Sequence, residues 1–313
     1  MSRLLKNNPL SFLLLGLIGL HCACAQLPSP SAPAASQPLP IQEPPRDIPL
    51  IEKKWGDLSD KEIGNYGTIA LEIRPDRWKH AETDNFILHF RRFTEARKVA
   101  REVEYDLWFV ATTLGASRDQ YARKSHVFIF EDQTEWNLFI SKLEVPVWFQ
   151  SFAHSEGLFL NVRQQNGIMD SHVLAHETTH AVVSRIYRMK HPGHWPLWLN
   201  EGFAEQMGSA SVAARNHIPT ATQERELQHA TIPLDALVKT TQYPENPMKV
   251  GEFYQSSEKL VRFLMTKSPR ERFPKFIDAI LDGKTLKEAV AEIYGDQYKD
   301  FDTFEKKYQL FTK

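Results

Sequence analysis

Residues 171–183 read SHVLAHETTHAVV and contain two histidines and a glutamate spaced as H-E-x-x-H. Apolar residues recur at helical intervals from residue 171 to 189, with no glycine or proline among them, so the pattern predicts one helix. Residues four apart lie on the same face of a helix. His176 and His180 therefore project side by side, one turn apart, and Glu177 lies next to the first of them.

A second segment, WPLWLNEGFAEQMG at residues 195–208, supplies a carboxylate that fits the two histidines. Proline is common in the first turn of a helix and glycine at its end, so we expect a helix between Pro196 and Gly208. Glu201 lies in the middle of that helix among apolar residues, where burying an unpaired carboxylate is costly. A metal ion held by two imidazoles and Glu201 removes this cost and leaves one position open, the usual composition of a catalytic zinc site.

Glu205 follows Glu201 by about one helical turn and lies on the same face. We expect its carboxylate to accept the free N–H of a ligating histidine and so to fix the tautomer of that ring. Two simpler interpretations stay open: Glu205 belongs to a solvated acidic face, and the paired histidines lie on the surface of an ordinary amphipathic helix. His172, one turn before His176, is expected to have a capping or surface role, because three protein ligands suffice.

HETTH followed by WLNEGFAE resembles the gluzincin metallopeptidases, in which a downstream glutamate lies in a helix of the N-E-G-F-A type. The resemblance implies that His176, His180 and Glu201 bind zinc and that Glu177 is the general base. The preceding helix and the segments HVFIF and GLFLNV resemble the peptidase-MA-like domains of secreted bacterial proteins, over roughly residues 85–310. The corresponding segment FAHSEGLFLNV lacks the G-A-M-E-N pattern of gluzincin aminopeptidases, so the resemblance does not imply aminopeptidase specificity.

The chemistry that the resemblance implies is hydrolysis of a peptide bond in a peptide or protein substrate. Zinc polarises the scissile carbonyl and acidifies a water molecule, and Glu177 takes a proton from that water and passes it to the leaving amine. Tyr254 is the candidate oxyanion donor, because related domains often have a Y-x-Q-S-like segment at the beginning of a helix after the zinc helices. The segment GLFLNV is expected to bind an extended peptide by edge addition.

Two other functions stay open. A binding or scaffold protein of the cell envelope could keep zinc for stability alone, although Glu177 would then have no duty at the metal. An active enzyme could also cleave a non-peptide amide of the cell wall. The formal net charge of −1 and the lack of a long basic run argue against nucleic acid as the main partner. Two imidazoles and a carboxylate favour zinc among the divalent ions.

Residues 1–25 have the composition of a secretory signal peptide, with basic residues, the apolar run PLSFLLLGLIGL and the small-residue site ACA. The apolar run is shorter than the about 20 residues of a membrane-spanning helix. Cys22 and Cys24 fall in this region, so a chain cleaved after Ala25 has no thiol. Alternatively, one of these cysteines becomes the lipid-modified first residue of a lipoprotein. Both interpretations place the protein outside the cytoplasm.

Residues 26–47 are rich in proline and are expected to form a disordered tether. The remaining residues, 48–313, are expected to form one peptidase-MA-like domain. The zinc site occupies residues 171–208 of this domain, and a helical C-terminal part occupies residues 222–313.

The domain is expected to be α+β, with a small mixed sheet packed on helices that include the H-E-x-x-H helix, followed by a mainly helical half. This arrangement is zincin-like. We predict strands at FILHF (86–90), HVFIF (126–130) and SEGLFLNV (155–162). From Met169 onward we expect helices and no strand, with a pair of helices joined by a glycine turn at residues 269–295.

Two helices are predicted between these strands. The first is expected to have Thr94 as its N-cap and to end at Gly115. Asp132 and Glu135 match the capping-box pattern and are expected to open the second helix, which runs to about Leu143.

Overall fold

The computed structural model describes residues 42–143, 145, 149–154, 157–162, 170–188, 195–218, 227, 230–267 and 269–311. All of them belong to one compact unit, Pro38–Lys313. The expected signal peptide, with Cys22 and Cys24, and residues 26–41 of the expected tether lie outside the described residues. Within the described ranges, no helix has the length and apolar character needed to cross a membrane.

The described part of the chain contains six strands and ten α-helices. The strands are β1 (Ile51–Lys53), β2 (Lys79–Glu82), β3 (Phe86–Phe90), β4 (Ser125–Phe130), β5 (Ser151–His154) and β6 (Gly157–Asn161). The helices are α1 (Gly64–Glu72), α2 (Phe93–Leu114), α3 (Gln133–Ser141), α4 (Ser171–Tyr187), α5 (Leu197–Arg215), α6 (Leu234–Lys239), α7 (Pro247–Thr266), α8 (Arg272–Leu281), α9 (Leu286–Tyr294) and α10 (Phe301–Gln309). All six strands precede α4, which agrees with the expected α+β class.

The six strands form one mixed sheet in the order β1-β2-β3-β4-β6-β5. β4 pairs in parallel with β3 and with β6, and the other pairs are antiparallel. The central strands are covered on both faces, which explains their nearly continuous apolar sequences. The three predicted strands are confirmed, except that residues 155 and 156 of the third lie outside the described residues. β1, β2 and β5 were not predicted, because each is only three or four residues long and none shows a clear apolar pattern.

The position of β6 contradicts one expectation. β6, the strand of GLFLNV, lies inside the sheet, where Leu158 is paired with Val127 of β4 on one side and with Ala153 of β5 on the other. Its backbone groups are therefore already used, and the prediction that it binds a peptide by edge addition is wrong. The edge strand on this side of the sheet is β5, which pairs antiparallel with β6, and β1 lies at the opposite edge.

Helices cover both faces of the sheet. Leu88 and Val127 lie in a core that includes residues of α2 and α4. The aromatic rings of Phe128, Phe159 and Trp136 belong to a second core, to which α1 and α3 contribute. α4 contacts β5 and β6 as well as α2 and α5, so it is held between the sheet and the helical half of the molecule.

The ends of α2 are partly as predicted. Gly115 is its C-cap with φ 64°, a left-handed conformation that suits glycine. The helix begins at Phe93 with Arg92 as the N-cap, so the expectation that Thr94 is the N-cap is wrong. Arg92 has an extended backbone, and its N–H donates to the carboxylate of Glu131 at 2.7 Å, which fixes the chain one residue before the expected start.

Asp132 is the N-cap of α3, as expected, and accepts hydrogen bonds from the backbone N–H groups of residues 134 and 135. The side chain of Glu135 does not complete a capping box. Its carboxylate instead accepts from Arg77 at 2.8 Å and from Arg91 at 3.0 Å. The helix ends at Ser141, two residues earlier than predicted.

α5 continues to Arg215, so the prediction that Gly208 ends this helix is wrong. A Cβ atom at Gly208 would lie 3.0 Å from Cε1 and 3.2 Å from the carbonyl oxygen of His172. The glycine therefore permits a close approach of α4 to α5, and this packing overrides its tendency to end a helix.

After β6, the described residues contain helices and no strand, as expected. α8 and α9 are the predicted pair at residues 269–295, and Gly283 in the turn between them has φ 93°. α7 packs against α5 and forms the third side of the region in which the predicted site residues meet.

Candidate metal centre between two helices

α4 carries both histidines of the H-E-x-x-H pattern. The helix begins at Ser171, and the carboxylate of its N-cap Asp170 accepts a hydrogen bond from the N–H of His172 at 2.8 Å. This cap satisfies one of the free N–H groups of the first turn and places a negative charge at the positive end of the helix dipole. The side of α4 that carries His176 and His180 faces Glu201 on α5.

Three potential ligand atoms converge between the two helices. Nε2 of His176 lies 3.0 Å from Nε2 of His180. Oε2 of Glu201 lies 3.3 Å from the first of these nitrogens and 3.5 Å from the second. The structure thus brings together the three residues that the sequence predicted as metal ligands.

The spacing of these atoms fits a zinc ion. In a tetrahedral site the distance between two ligand atoms is about 1.6 times the bond length, hence roughly 3.3 Å for bonds of about 2.0–2.1 Å. The three observed separations bracket this value. Two imidazoles and one carboxylate leave a fourth position for water or substrate, which distinguishes a catalytic donor set from a closed structural one.

The buried carboxylates and imidazoles of this region shift one another's pKa values. Burial opposes ionisation of Glu201, which is 2% exposed, but His180 and His176 outweigh it and hold the pKa of the carboxyl well below its ordinary value. Burial likewise disfavours a charge on His176, yet the adjacent carboxylates of Glu201 and Glu205 raise the pKa of this ring well above its ordinary value. A metal ion requires neutral imidazole ligands, so zinc would replace a proton here.

Two residues that the sequence reasoning missed support the ligand atoms. Oδ1 of Asn200 lies 3.2 Å from Nδ1 of His180, and the ring must donate because an amide oxygen only accepts. The hydroxyl of Tyr243 donates to Oε1 of Glu201 at 2.7 Å. Asn200 precedes Glu201 within the NEGFA segment, whereas Tyr243 lies in the loop between α6 and α7, where no sequence spacing indicated it.

Glu205 lies where a supporting carboxylate is expected. Its Oε1 is 3.1 Å from Nδ1 of His176, within the range of an ion pair, although the angle departs from that of a well-formed hydrogen bond. Its Oε2 accepts from Nε2 of His172 at 3.0 Å. Burial opposes the ionisation of Glu205, but the hydrogen bond from His172 and the adjacent imidazole of His176 lower the pKa of its carboxyl to about 2. His172 is therefore paired with Glu205 and is not a simple surface residue.

Glu177 follows His176 in α4 and is not one of the three residues whose ligand atoms converge. Its Oε2 accepts a hydrogen bond from the backbone N–H of Ala153 in the edge strand β5 at 2.8 Å. Burial raises the pKa of the Glu177 carboxyl, and the imidazoles of His176 and His180 and the hydrogen bond from Ala153 oppose the shift. The side chain keeps partial access to solvent.

Tyr254, the predicted oxyanion donor, lies close to the centre. Its ring stands edge-on to that of His176 with a centroid separation of 6.1 Å, and it is 6.2 Å from the ring of Tyr243. Burial and the carboxylate of Glu201 raise the pKa of the Tyr254 hydroxyl well above its ordinary value. A tyrosine hydroxyl is protonated at neutral pH even at its ordinary pKa, so the group can donate a hydrogen bond. α7 begins at Pro247, and Tyr254 lies two turns inside it instead of at its start.

The chain matches no model of a protein family, and a search of curated proteins finds no match. Any function of this chain is therefore inferred from its own residues and their geometry.

Proposed function

We propose that the protein is a zinc-dependent metallopeptidase of the gluzincin type, with a zincin-like fold. The observation that carries the proposal is the convergence of His176, His180 and Glu201 at the edge length of a zinc tetrahedron. Each of the two imidazoles also has an acceptor near its other ring nitrogen, which is the usual environment of a ligating histidine.

When bound, zinc supplies a Lewis acid that polarises the scissile carbonyl and lowers the pKa of a water molecule. Glu177 is adjacent to His176 in sequence, is partly open to solvent and does not belong to the ligand set. Its carboxylate takes a proton from the attacking water and delivers it to the leaving nitrogen. The hydroxyl of Tyr254 donates to the oxygen on which negative charge develops.

The substrate is a peptide that extends along β5. This strand is at the edge of the sheet and contacts α4. An added peptide strand gains backbone hydrogen bonds there. The hydrogen bond from Ala153 to Glu177 fixes the general base against the same edge, so a peptide bound along β5 passes beside the base.

The N-terminal segment supports a location outside the cytoplasm, either secreted or held at the cell surface. Signal-peptide cleavage releases the chain, and lipid modification of Cys22 or Cys24 would anchor it through the proline-rich tether.

A second candidate is a zinc-stabilised binding protein without activity. The contact between Glu177 and Ala153 favours it, because it gives this glutamate a structural duty that does not need catalysis. Glu177→Gln separates the two roles, since a glutamine oxygen still accepts the hydrogen bond from Ala153 but cannot act as a base.

The test is cleavage of a peptide library and of cell-wall fragments by the purified, zinc-loaded protein. We expect the parent to cleave peptides and Glu177→Gln to lose about 10²–10⁴ in kcat while it keeps its zinc. A zinc-loaded parent that cleaves no peptide supports the binding protein, and cleavage of cell-wall amides alone changes the substrate class. A Glu177→Gln variant as active as the parent rules out the proposed mechanism.

A further inference from the structure

The facing sides of α4 and α5 carry an alternating row of histidines and glutamates. In spatial order the row is His180, Glu201, His176, Glu205 and His172. The successive contacts between these side chains measure 3.5, 3.3, 3.1 and 3.0 Å. The first three residues hold the converging ligand atoms, and the last two extend the row away from them.

His172 ends this row and has no part in the proposed chemistry. Its backbone N–H is fixed by the helix cap at Asp170, and its ring lies against Gly208, where a Cβ would approach Nδ1 to 3.1 Å. The Nε2–H of the ring donates to Oε2 of Glu205 at 3.0 Å. The side chain of His172 is therefore held in one orientation by the helix cap, by its contact with Gly208 and by its hydrogen bond to Glu205.

We propose that His172 is a positioning residue that acts through Glu205 on His176 and thereby strengthens zinc binding. The inference rests on the proposed function. Glu205 has two carboxylate oxygens, and each is next to one imidazole. The hydrogen bond from His172 holds the carboxylate in place, so that Oε1 stays beside Nδ1 of His176 and the Nε2 of that ring faces the metal position.

The side chains of His172, His176 and Glu205 form a second group whose atoms are close enough to hold a metal ion of their own. Such an ion would need Nδ1 of His176 while Nε2 of the same ring binds the first ion, so the ring would lose both N–H protons. A ring that ligates through Nε2 keeps its hydrogen on Nδ1, and Oε1 of Glu205 lies 3.1 Å from that nitrogen. The proton chemistry of His176 therefore favours one ion and a positioning role for the outer pair.

If His172 had only a structural role, its replacement would affect the stability of the fold and not the affinity for zinc. The side chains of His172 and Glu205 are 35% and 19% exposed, so solvent partly screens their ion pair, and we expect it to contribute little to folding. Its effect on zinc affinity is expected to be larger than its effect on folding, because it acts on the geometry of a ligand.

The test measures the zinc affinity of the purified protein by competition with a chelator of known affinity. We expect His172→Phe, which keeps a ring but removes the donor, to bind zinc about 3- to 10-fold more weakly, less than the 10–100-fold typical of direct outer-shell partners. His172→Gln keeps an N–H donor for Glu205 and is expected to recover most of the affinity. Thermal unfolding of the metal-free variants should match that of the parent.

A double-mutant cycle with Glu205→Gln tests the route. If His172 acts through Glu205, His172→Phe has no further effect on zinc affinity in the Glu205→Gln background. The proposal is overturned if His172→Phe binds zinc as tightly as the parent, if its loss is equally large in the Glu205→Gln background, or if the parent holds two zinc ions per chain. A parent that binds no zinc overturns the metal centre as well, so the two failures can be told apart.

Discussion

Tyr243 and the two histidines act on different oxygens of the same carboxylate. Oε2 of Glu201 faces His176 and His180, whereas Oε1 accepts the hydroxyl of Tyr243. A carboxylate held in this way is already oriented before an ion binds, so less conformational freedom is lost on binding. Tyr243 is therefore expected to influence the metal centre from outside the ligand set.

Tyr243→Phe should weaken zinc binding by about 10-fold or more, as is typical for loss of an outer-shell partner. The ring stays in place, but Oε1 of the buried Glu201 loses the short hydrogen bond from Tyr243 and keeps only the longer one from Nδ2 of Asn200 at 3.4 Å. Chelator competition measures the change. Unaltered zinc affinity in Tyr243→Phe would show that this hydrogen bond does not orient the ligand.

Tyr254→Phe is the matched comparison, because its ring contacts both His176 and Tyr243. As an oxyanion donor, Tyr254 should affect the rate and not the metal, so this variant is expected to bind zinc normally and to lose about 10²–10³ in kcat. A normal kcat for Tyr254→Phe would rule out Tyr254 as the oxyanion donor. A kcat loss found only in Tyr243→Phe would assign this role to Tyr243.

The residues that the sequence indicated are those whose spacing on a helix determines which face they share. His176, His180, Glu201 and Glu205 belong to this class, and their convergence follows once α4 and α5 face each other. Tyr243 is separated from Glu201 by 42 positions and lies in a loop. No local rule relates two such residues, since loop position is decided by the packing of the whole helical half.

At the scale of helices, the close approach of α5 to α7 decides what can replace Gly202, the glycine of NEGFA. A Cβ at this position would lie 2.3 Å from the carbonyl oxygen and 2.5 Å from the carbonyl carbon of Ser257. Both atoms are backbone, so the contact can be relieved only by separating the two helices next to Glu201.

Gly202→Ala is therefore expected to lower the free energy of unfolding by about 1–3 kcal/mol, the usual cost of overpacking. Gly251→Ala is the control, because Gly251 lies in α7 with nothing within 4 Å of its Cβ position. Its replacement by alanine should raise the free energy of unfolding by up to about 1 kcal/mol through helix propensity. Urea unfolding of both variants checks the contrast, and a Gly202→Ala variant as stable as the parent contradicts the packing described for α5 and α7.

Element boundaries show where local pattern and packing diverge. FILHF and HVFIF were predictable, because buried parallel strands are continuous apolar runs. The neighbour of β6 was not, since β5 is only four residues long and its pairing depends on how the chain returns to the sheet. The propensity of glycine to end helices predicted that α5 stops at Gly208. In the structure Gly208 packs against His172, and α5 continues past it.

Three adjacent strands carry a chain of hydrogen-bonded histidines on the sheet face covered by α1 and α3. Nδ1 of His80 lies 2.8 Å from Nδ1 of His89, and Nε2 of His89 lies 2.9 Å from Nδ1 of His126. Burial lowers the pKa of His126 to about 4, with Asp60 opposing and Arg123 assisting the shift. Burial also lowers the pKa values of His80 and His89.

Because the folded-state pKa of His126 lies below 6.5, the neutral ring is favoured in the fold. Its contribution to stability is complete above about pH 6.5 and is lost as the pH falls toward 4. His126→Asn retains a polar atom near Nδ1 but does not titrate. We expect the loss of stability between pH 7.5 and pH 5, measured by urea unfolding, to be smaller in this variant by on the order of 1–2 kcal/mol. Equal losses in both proteins would contradict the low pKa of His126.

At the scale of the whole molecule, the two parts of the fold have different roles. The sheet with α1 to α3 supplies an edge strand beside Glu177, and α4 and α5 supply the proposed ligand atoms. Tyr254 lies on α7, and Tyr243 lies in the loop before it. The α+β class followed from the order of apolar runs along the chain. The wall that α7 adds to the centre could not be predicted, because it depends on a packing between segments about 50 residues apart.

The most direct measurement is the zinc content of the purified parent, of Glu201→Gln and of Glu252→Gln. Glutamine at position 201 keeps an acceptor for Tyr243 but removes the anionic ligand, and Glu252 is a partly exposed glutamate on α7 outside both groups of potential ligands. We predict about one zinc per chain in the parent and in Glu252→Gln, and loss of most of it in Glu201→Gln. A parent without zinc, or a Glu201→Gln variant that binds zinc as well as the parent, would contradict the metal centre.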